Sequence, residues 1–210
     1  KFFSETSDEE KCRESVLVKT KTLDITYHFI DVGHLRLDCH TKYLLAKEDG
    51  LYRGKNKVMV FKKQPNLEYD LKKAMAEEMR TCWYMFGAGT YDPFDRAKDT
   101  RCVICSEIKF DDKVQEEVPE LKTFGKFLGE TTMGERGKQY YLEYLLGGAK
   151  SPEIVNDKPM PTADNYAVIY VSDKGGDFNS KALGATAAGL LTGGGCKVGA
   201  AIGFAVGTPV

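Results

Sequence analysis

The residues with the most chemistry to offer are six cysteines: Cys12, Cys39, Cys82, Cys102, Cys105 and Cys196. In an oxidising compartment such thiols pair, whereas in a reducing one they ligate metal or act as nucleophiles. Cys12 and Cys39 bracket a stretch that reads as a hairpin, so an antiparallel return would bring them within disulfide range. A second bridge would join Cys82, on a helical pattern, to Cys102 or Cys105; five cysteines in the polar region are an odd number, and the pairing stays open. The competing reading is a metal site built from Cys82, Cys102 and Cys105 with Cys39 or His40 as fourth ligand. Zinc favours ligands presented as two short paired knuckles, and this chain has a single Cys-x-x-Cys. That pair lies in a strand pattern, where residues three apart point to opposite faces. A redox pair of the thioredoxin kind needs a helix N-terminus to lower the thiol pKa, and none precedes Cys102. Disulfides are the expectation.

The other candidates fail on spacing. Gly134-Glu135-Arg136-Gly137-Lys138 has the look of a phosphate loop, but Gln139 stands where Ser or Thr should hold magnesium. Gly87-Ala88-Gly89 follows a helical pattern and so reads as its cap, while a dinucleotide turn must follow a strand. His28, His34 and His40 are evenly spaced but split by a turn at Gly33, and Asp111-Asp112 with Glu116-Glu117 read as a solvated loop and the start of a helix. No triad emerges, no cofactor or metal is expected, and an enzyme is the less favoured class. With 30 Lys plus Arg against 31 Asp plus Glu, the net charge of −1 gives no basic footprint for nucleic acid.

The elements that must position the cysteines follow from periodicity. Cys12 to Thr20 reads as extended; Ile25, Tyr27 and Phe29, then Leu35 and Leu37, alternate with polar residues, and Val58 and Val60 add a short strand. Residues 12–62 are thus expected as an antiparallel sheet. From Leu67 to Phe86 the period changes, with Leu71, Met75, Met79, Cys82 and Phe86 on one helical face, Trp83 as a core anchor beside them, and Gly87 and Gly89 as the stop. Cys102 to Phe110 reads as a strand, a helix is expected from about Pro119 with Leu121, Phe124 and Leu128 inward, and Tyr166 to Val171 reads as a further strand. The fold class expected is α+β, an antiparallel sheet with packed helices. Its parts are a polar segment 1–11, an α+β domain 12–146, a Pro-containing loop 147–165, a strand 166–172 belonging to the domain, and a linker 173–181.

The segment 182–210 differs from everything before it. Every acidic residue lies at or before Asp177, and from Ala182 onward the only charge is Lys197. Gly195, Gly199, Gly203 and Gly207 recur every four residues, and Ala185, Gly189 and Gly193 keep that spacing upstream. On a helix this makes a smooth stripe, the usual mark of close helix packing in lipid, and a glycine zipper is expected as a single helix or as a hairpin broken at Gly193-Gly194-Gly195. A plain linker would use serine and polar residues in place of Leu, Val, Ile and Phe. Lys197 would snorkel to an interface or line a polar bundle interior. The chain opens on Lys1 with no signal-peptide pattern and stops at Val210 inside an apolar run, which reads as a processed or truncated polypeptide.

CRESV near the start, LDCHTKYL, AEEMRTCWYMFGAG, RCVICSEIKFD, YYLEYL and YAVIYV, followed by the glycine-rich tail, together resemble a group of uncharacterised membrane-anchored secreted proteins of small-genome archaea of the DPANN type. The resemblance implies an exported domain tethered to the membrane with its cysteines outside the cytoplasm, and carries over no catalytic residue. The functional expectation is a membrane-associated structural or assembly subunit of a cell-envelope complex. Its partners would be membrane lipid and further copies or envelope components. The alternatives are a cysteine-dependent redox or metal-binding enzyme and a pore or transport subunit.

Overall fold

The computed structural model describes residues 7–25, 36–62, 66–90, 94, 101–134, 139–146, 158–173 and 201–207. The chain opens with helix α1 (Asp8–Ile25), where a strand was expected. Among its described side chains Cys12, Val16 and Thr20 are buried, spaced by four, while Val18 between them is 57% exposed. That is a helical stripe, and the run of β-branched residues around Val16 is overridden by packing. Ser7-Asp8-Glu9-Glu10 has the capping-box pattern that marks such a start, and the Ser7 hydroxyl accepts the Glu10 backbone N–H at 3.3 Å. Residues 8–11 form the first turn of α1.

Three strands follow as a meander: β1 (Lys42–Lys47), β2 (Gly50–Arg53) and β3 (Asn56–Val60), each antiparallel to the one before. Gly50 is required here, since a Cβ at this position would lie 2.2 Å from the Met59 carbonyl oxygen. The expected strand pattern at 25–35 lies largely outside the described residues, and residues 36–41 are irregular.

Helix α2 (Leu67–Met85) matches its periodicity. Asn66 caps it through the Tyr69 N–H at 2.8 Å, and Leu71, Met75, Met79, Cys82, Trp83 and Phe86 are all buried. It ends in a run of left-handed residues at Gly87, Ala88 and Gly89; a Cβ on Gly89 would press on the Trp83 ring at 3.0 Å. Strand β4 (Arg101–Phe110) then runs parallel to β1.

Helix α3 (Asp112–Glu117) is capped by Asp111, whose carboxylate accepts the Val114 N–H at 3.0 Å. The helix expected from Pro119 begins later, as α4 (Phe124–Glu130), because Glu120–Leu121 forms β5 instead and pairs with β6 (Met160–Pro161). Leu121, Phe124 and Leu128 are buried as expected. Helix α5 (Tyr141–Leu145) and strand β7 (Tyr166–Asp173) complete the domain, β7 lying antiparallel to β4 and taking in Asp173.

The backbone of Ala201–Gly207 is a strand, β8, parallel to β7 with Ile169 opposite Gly203. The described backbone at Gly203 and Gly207 is thus part of a strand. A spacing of four is also a multiple of two, and Ile202, Phe204 and Val206 alternate there with Ala201, Gly203, Ala205 and Gly207. Ala185, Gly189, Gly193, Gly195 and Gly199 lie outside the described residues. Among the described residues no helix is long and apolar enough to cross a membrane.

The sheet order is β3-β2-β1-β4-β7-β8. One face carries the helices and the main core, including Leu44, Leu71, Met75, Phe86, Ile108, Val168 and Tyr170. On the other face Ala167, Ile169 and Val171 form a separate small cluster with Cys102 and Ile104. Phe86 stacks on Tyr170 with ring centres 4.1 Å apart, locking the end of α2 to β7.

Candidate functional site

The densest chemistry of the fold lies along the seams that tie its helices to the sheet. Cys12 of α1 is bonded to Cys39 on the approach to β1, with Cα atoms 4.5 Å apart. Cys82 of α2 is bonded to Cys105 of β4, with Cα atoms 5.7 Å apart. The first pair is the one expected, reached from a helix instead of a hairpin strand; the second resolves the choice for Cys82. Cys102 is disulfide-bonded as well, and none of the described cysteines is a free thiol. Cys105 belongs to the helix-side core and Cys102 to the small cluster on the opposite face, as spacing by three on a strand requires. Cys39, Cys82, Cys102 and Cys105, the alternative metal ligands, are thus all engaged in disulfides. Among the described residues no group of three or more His, Cys, Asp or Glu side chains is placed to hold a metal ion.

Beside the Cys12–Cys39 bridge sits a buried charge cluster. Lys42, at the start of β1, places its ammonium 2.6 Å from Glu78 Oε2 of α2 and 3.3 Å from Glu9 Oε1 of α1. The Lys42 and Glu78 side chains are only 8% and 11% exposed. Glu78 pairs with the ammonium as an ion pair, while Glu9 accepts a hydrogen bond from it. Burial raises the Glu9 carboxyl, but a backbone hydrogen bond and the Lys42 charge outweigh it and hold Glu9 below the ordinary carboxylate value. One lysine thereby joins three elements. Ser106, the register partner of Lys42 on β4, is fully buried with its hydroxyl unpaired.

Next to Cys12, the Arg13 guanidinium lies 3.9 Å from the Tyr84 ring centre and donates to the Tyr84 hydroxyl. Further along α2, the Tyr141 hydroxyl of α5 donates to Glu77 Oε1, and Arg80 Nε binds the other carboxylate oxygen at 2.6 Å. Burial first, and then Glu77, push the Tyr141 phenol well above its ordinary value. Glu68 accepts the Lys122 backbone N–H at 2.8 Å and pairs with Lys72 at 2.6 Å.

These groups tie helices to one another and to the sheet. Two clefts among the described residues, one between α1 and Arg36 and Asp38 and one at the start of α2, are open and lined by mixed charge. Sequence reasoning passed over Lys42, Glu78, Glu9 and the Arg13–Tyr84 pair. The signal for Lys42 is its place on the inward parity of a strand, two residues before Leu44 and four before Ala46. A charge at such a position needs a buried partner. No protein-family model, curated protein or solved structure matches the chain.

Proposed function

We propose that this chain is a structural or assembly subunit of a cell envelope, its α+β domain standing outside the cytoplasm and its glycine-rich segment 182–200 serving as the packing element that meets membrane lipid or neighbouring copies. The observation that carries the reading is the pair of disulfides, Cys12–Cys39 and Cys82–Cys105, each fastening one of the two long helices to the sheet or its approach. Such bonds persist where the surroundings are oxidising and are reduced in most cytosols. The polar groups of the seams support the same reading, because they are spent on joining elements: Lys42 on Glu9 and Glu78, and Glu77 on Arg80 and Tyr141. The small residues of segment 182–200, with Lys197 as their only charge, suit close contact with an apolar partner.

The test is topology in cells producing the full chain behind an export leader. External protease is expected to degrade the domain, thiol reagents to label no described cysteine before reduction, and carbonate-washed membranes to retain fragments containing the glycine-rich segment. Recovery of the whole chain in the cytosol, protease-protected and with reactive thiols, would overturn the proposal.

A further inference from the structure

The sheet has a second face, and its β1–β3 end is open to solvent. Lys42, Leu44 and Ala46 of β1 are buried toward the helices, so the alternate residues Tyr43, Leu45 and Lys47 stand on the opposite face. Strand register extends that face to both sides. Leu45 lies opposite Tyr52 on β2 and Lys109 on β4, Tyr52 lies opposite Lys57 on β3, and Lys47 lies opposite Gly50, which in turn pairs with Val60. Val58 is the residue that the β2–β3 register skips. Of the five large apolar side chains exposed among the described residues, three belong here: Tyr43 at 65%, Val60 at 67% and Val58 at 52%. Apolar groups gathered in one exposed place mark a contact surface, whereas single scattered ones need no explanation.

The charge around them is mostly of one sign. Lys47, Lys57 and Lys109 share the face, Lys55 stands at the β2–β3 turn and Lys62 follows β3. The acids on this face or at its rim are Glu48, Asp49 and Glu107. Asp49 is taken by Lys57 and the Tyr52 hydroxyl, and Glu48 by Lys113. Lys47, Lys55, Lys62 and Lys109 enter no ion pair among the described residues. The Lys47 and Lys57 ammonium groups lie 5.0 and 5.2 Å from the centre of the same Tyr52 ring. Two like charges are thereby held within about 10 Å of each other, near enough to act on one anionic surface. In a chain of net charge −1 this is a local positive excess.

Anionic partners differ in what they require. An acidic peptide adding to the edge strand β3 would need a clean ladder, and Lys55, Lys57, Lys62 and the bulge guard that edge. A nucleic-acid strand needs open aromatic rings on which bases stack, whereas Tyr52 already carries two ammonium groups and the valines have no stacking face. An anionic bilayer needs neither: valine and tyrosine side chains enter the headgroup layer one by one, and the lysines around them meet lipid phosphates.

We propose that the β1–β3 end of the second face rests on an anionic lipid surface, with Tyr43, Val58 and Val60 entering the headgroup layer and Lys47, Lys57 and Lys109 on the phosphates. The inference deepens the functional reading and rests on it for the presence of a membrane beside the domain. It also orients the domain, with the helices turned away from the bilayer.

Flotation of the full chain, disulfides intact, with vesicles of phosphatidylcholine alone or of phosphatidylcholine and phosphatidylglycerol in equal parts tests the contact. Comparing the two vesicles cancels whatever the glycine-rich segment contributes to both. Binding to the mixed vesicles is expected to be about tenfold tighter or more, with the preference lost at high salt. Lys47→Glu with Lys109→Glu should abolish the preference, while Lys122→Glu with Lys126→Glu, the same charge change on exposed lysines of the helix side, should leave it. Tryptophan emission of the Val60→Trp variant should shift to the blue on the mixed vesicles, against the constant background of buried Trp83. Equal affinity for both vesicles would overturn the proposal, as would a preference that survives Lys47→Glu with Lys109→Glu while Leu71–Met79 amides stay protected. Unshifted Val60→Trp emission, with polyglutamate or polyuridylate competing as well as the anionic vesicles, would overturn it in favour of an acidic polymer. The functional reading fails on a different result, a reduced and protease-protected chain in the cytosol, which leaves the vesicle preference unaffected.

Discussion

The two long helices are attached to the same sheet by different physics. Helix α2 buries twelve of its residues, among them Leu67, Leu71, Met75, Met79 and Trp83, and would stay in place on apolar contact alone. Helix α1 buries three side chains among those described, Cys12, Val16 and Thr20, and relies on point fasteners: a disulfide, Arg13 against Tyr84, and Glu9 to Lys42. A helix held by area fails only with the whole domain. A helix held by fasteners can come away first, in the manner of low-stability cooperative units.

The largest effect should come from cutting the area. Phe86→Ala removes the ring stacked on Tyr170 and leaves a cavity between α2 and β7, at a cost of about 4 kcal/mol. Chemical denaturation with hydrogen exchange checks it: midpoint stability drops and protection falls together across α2, β4 and β7. Selective loss at α2 alone would show that the helix is not bound into the global unit.

The disulfides sharpen the comparison because their spans are alike, 27 residues for Cys12–Cys39 and 23 for Cys82–Cys105. Chain-entropy reasoning therefore assigns both about 3.5 kcal/mol. What should differ is the distribution. In a Cys12→Ala, Cys39→Ala double variant, α1 amides are expected to exchange ahead of global unfolding. In Cys82→Ala, Cys105→Ala, the α2 amides should still exchange only with the rest. Equal local fraying in both variants would erase the distinction.

Lys42 is the next fastener down. Lys42→Met leaves the Glu78 carboxylate buried without its cation, a loss of about 3 kcal/mol. Adding Glu78→Leu should recover most of that, since an apolar pair of similar volume avoids the desolvation of both charges. Urea titrations of the single and double variants measure the recovery; a double variant no more stable than the single one would mean that the cluster is favourable in its own right.

Much of this architecture was readable in the residues, and the misreadings share a cause. Helix α2 and strands β4 and β7 show a single strong period and came out as expected. Helix α1 did not, because Val16, Leu17 and Val18 favour strands locally while its inward stripe is only Cys12, Val16 and Thr20, too thin to set a period. Its capping box at Ser7 carried more information than its apolar residues. At β8 the glycine spacing is ambiguous in itself: glycines every four residues satisfy a helix and a strand equally, and only the alternation of Ile202, Phe204 and Val206 separates the two. The Cys12–Cys39 pairing survived the misreading because proximity depends on where the chain returns and not on how it coils between. The Lys42 cluster was legible only at Lys42 itself, through its inward parity on β1, since its partners Glu9 and Glu78 are brought together from helices far apart in sequence.

Acid offers the mildest way to separate the helices. The Glu9 carboxyl is held below its unfolded value in the fold, and so is that of Asp8, where the hydrogen bond from Arg53 comes first. A carboxyl depressed in the folded state contributes stability that is fully present above its unfolded pKa, near the ordinary Glu value of about 4.3, and that drains away as pH falls through the folded one. Both groups lie in the first turn of α1, so protonation also removes negative charge from the helix N-terminus. Between about pH 5 and pH 3, amides of α1 should therefore lose protection before those of α2. Glu9→Gln should flatten that pH dependence while costing about 0.5 kcal/mol at neutral pH, the scale of a partly exposed pair. Glu68 is also depressed, with burial opposing and Lys72 and the Lys122 N–H prevailing. It acts on α2, however, where the buried area is large enough to hold the helix after its carboxylate is neutralised. If α2 loosened first in acid, the ranking of fasteners below area would be wrong.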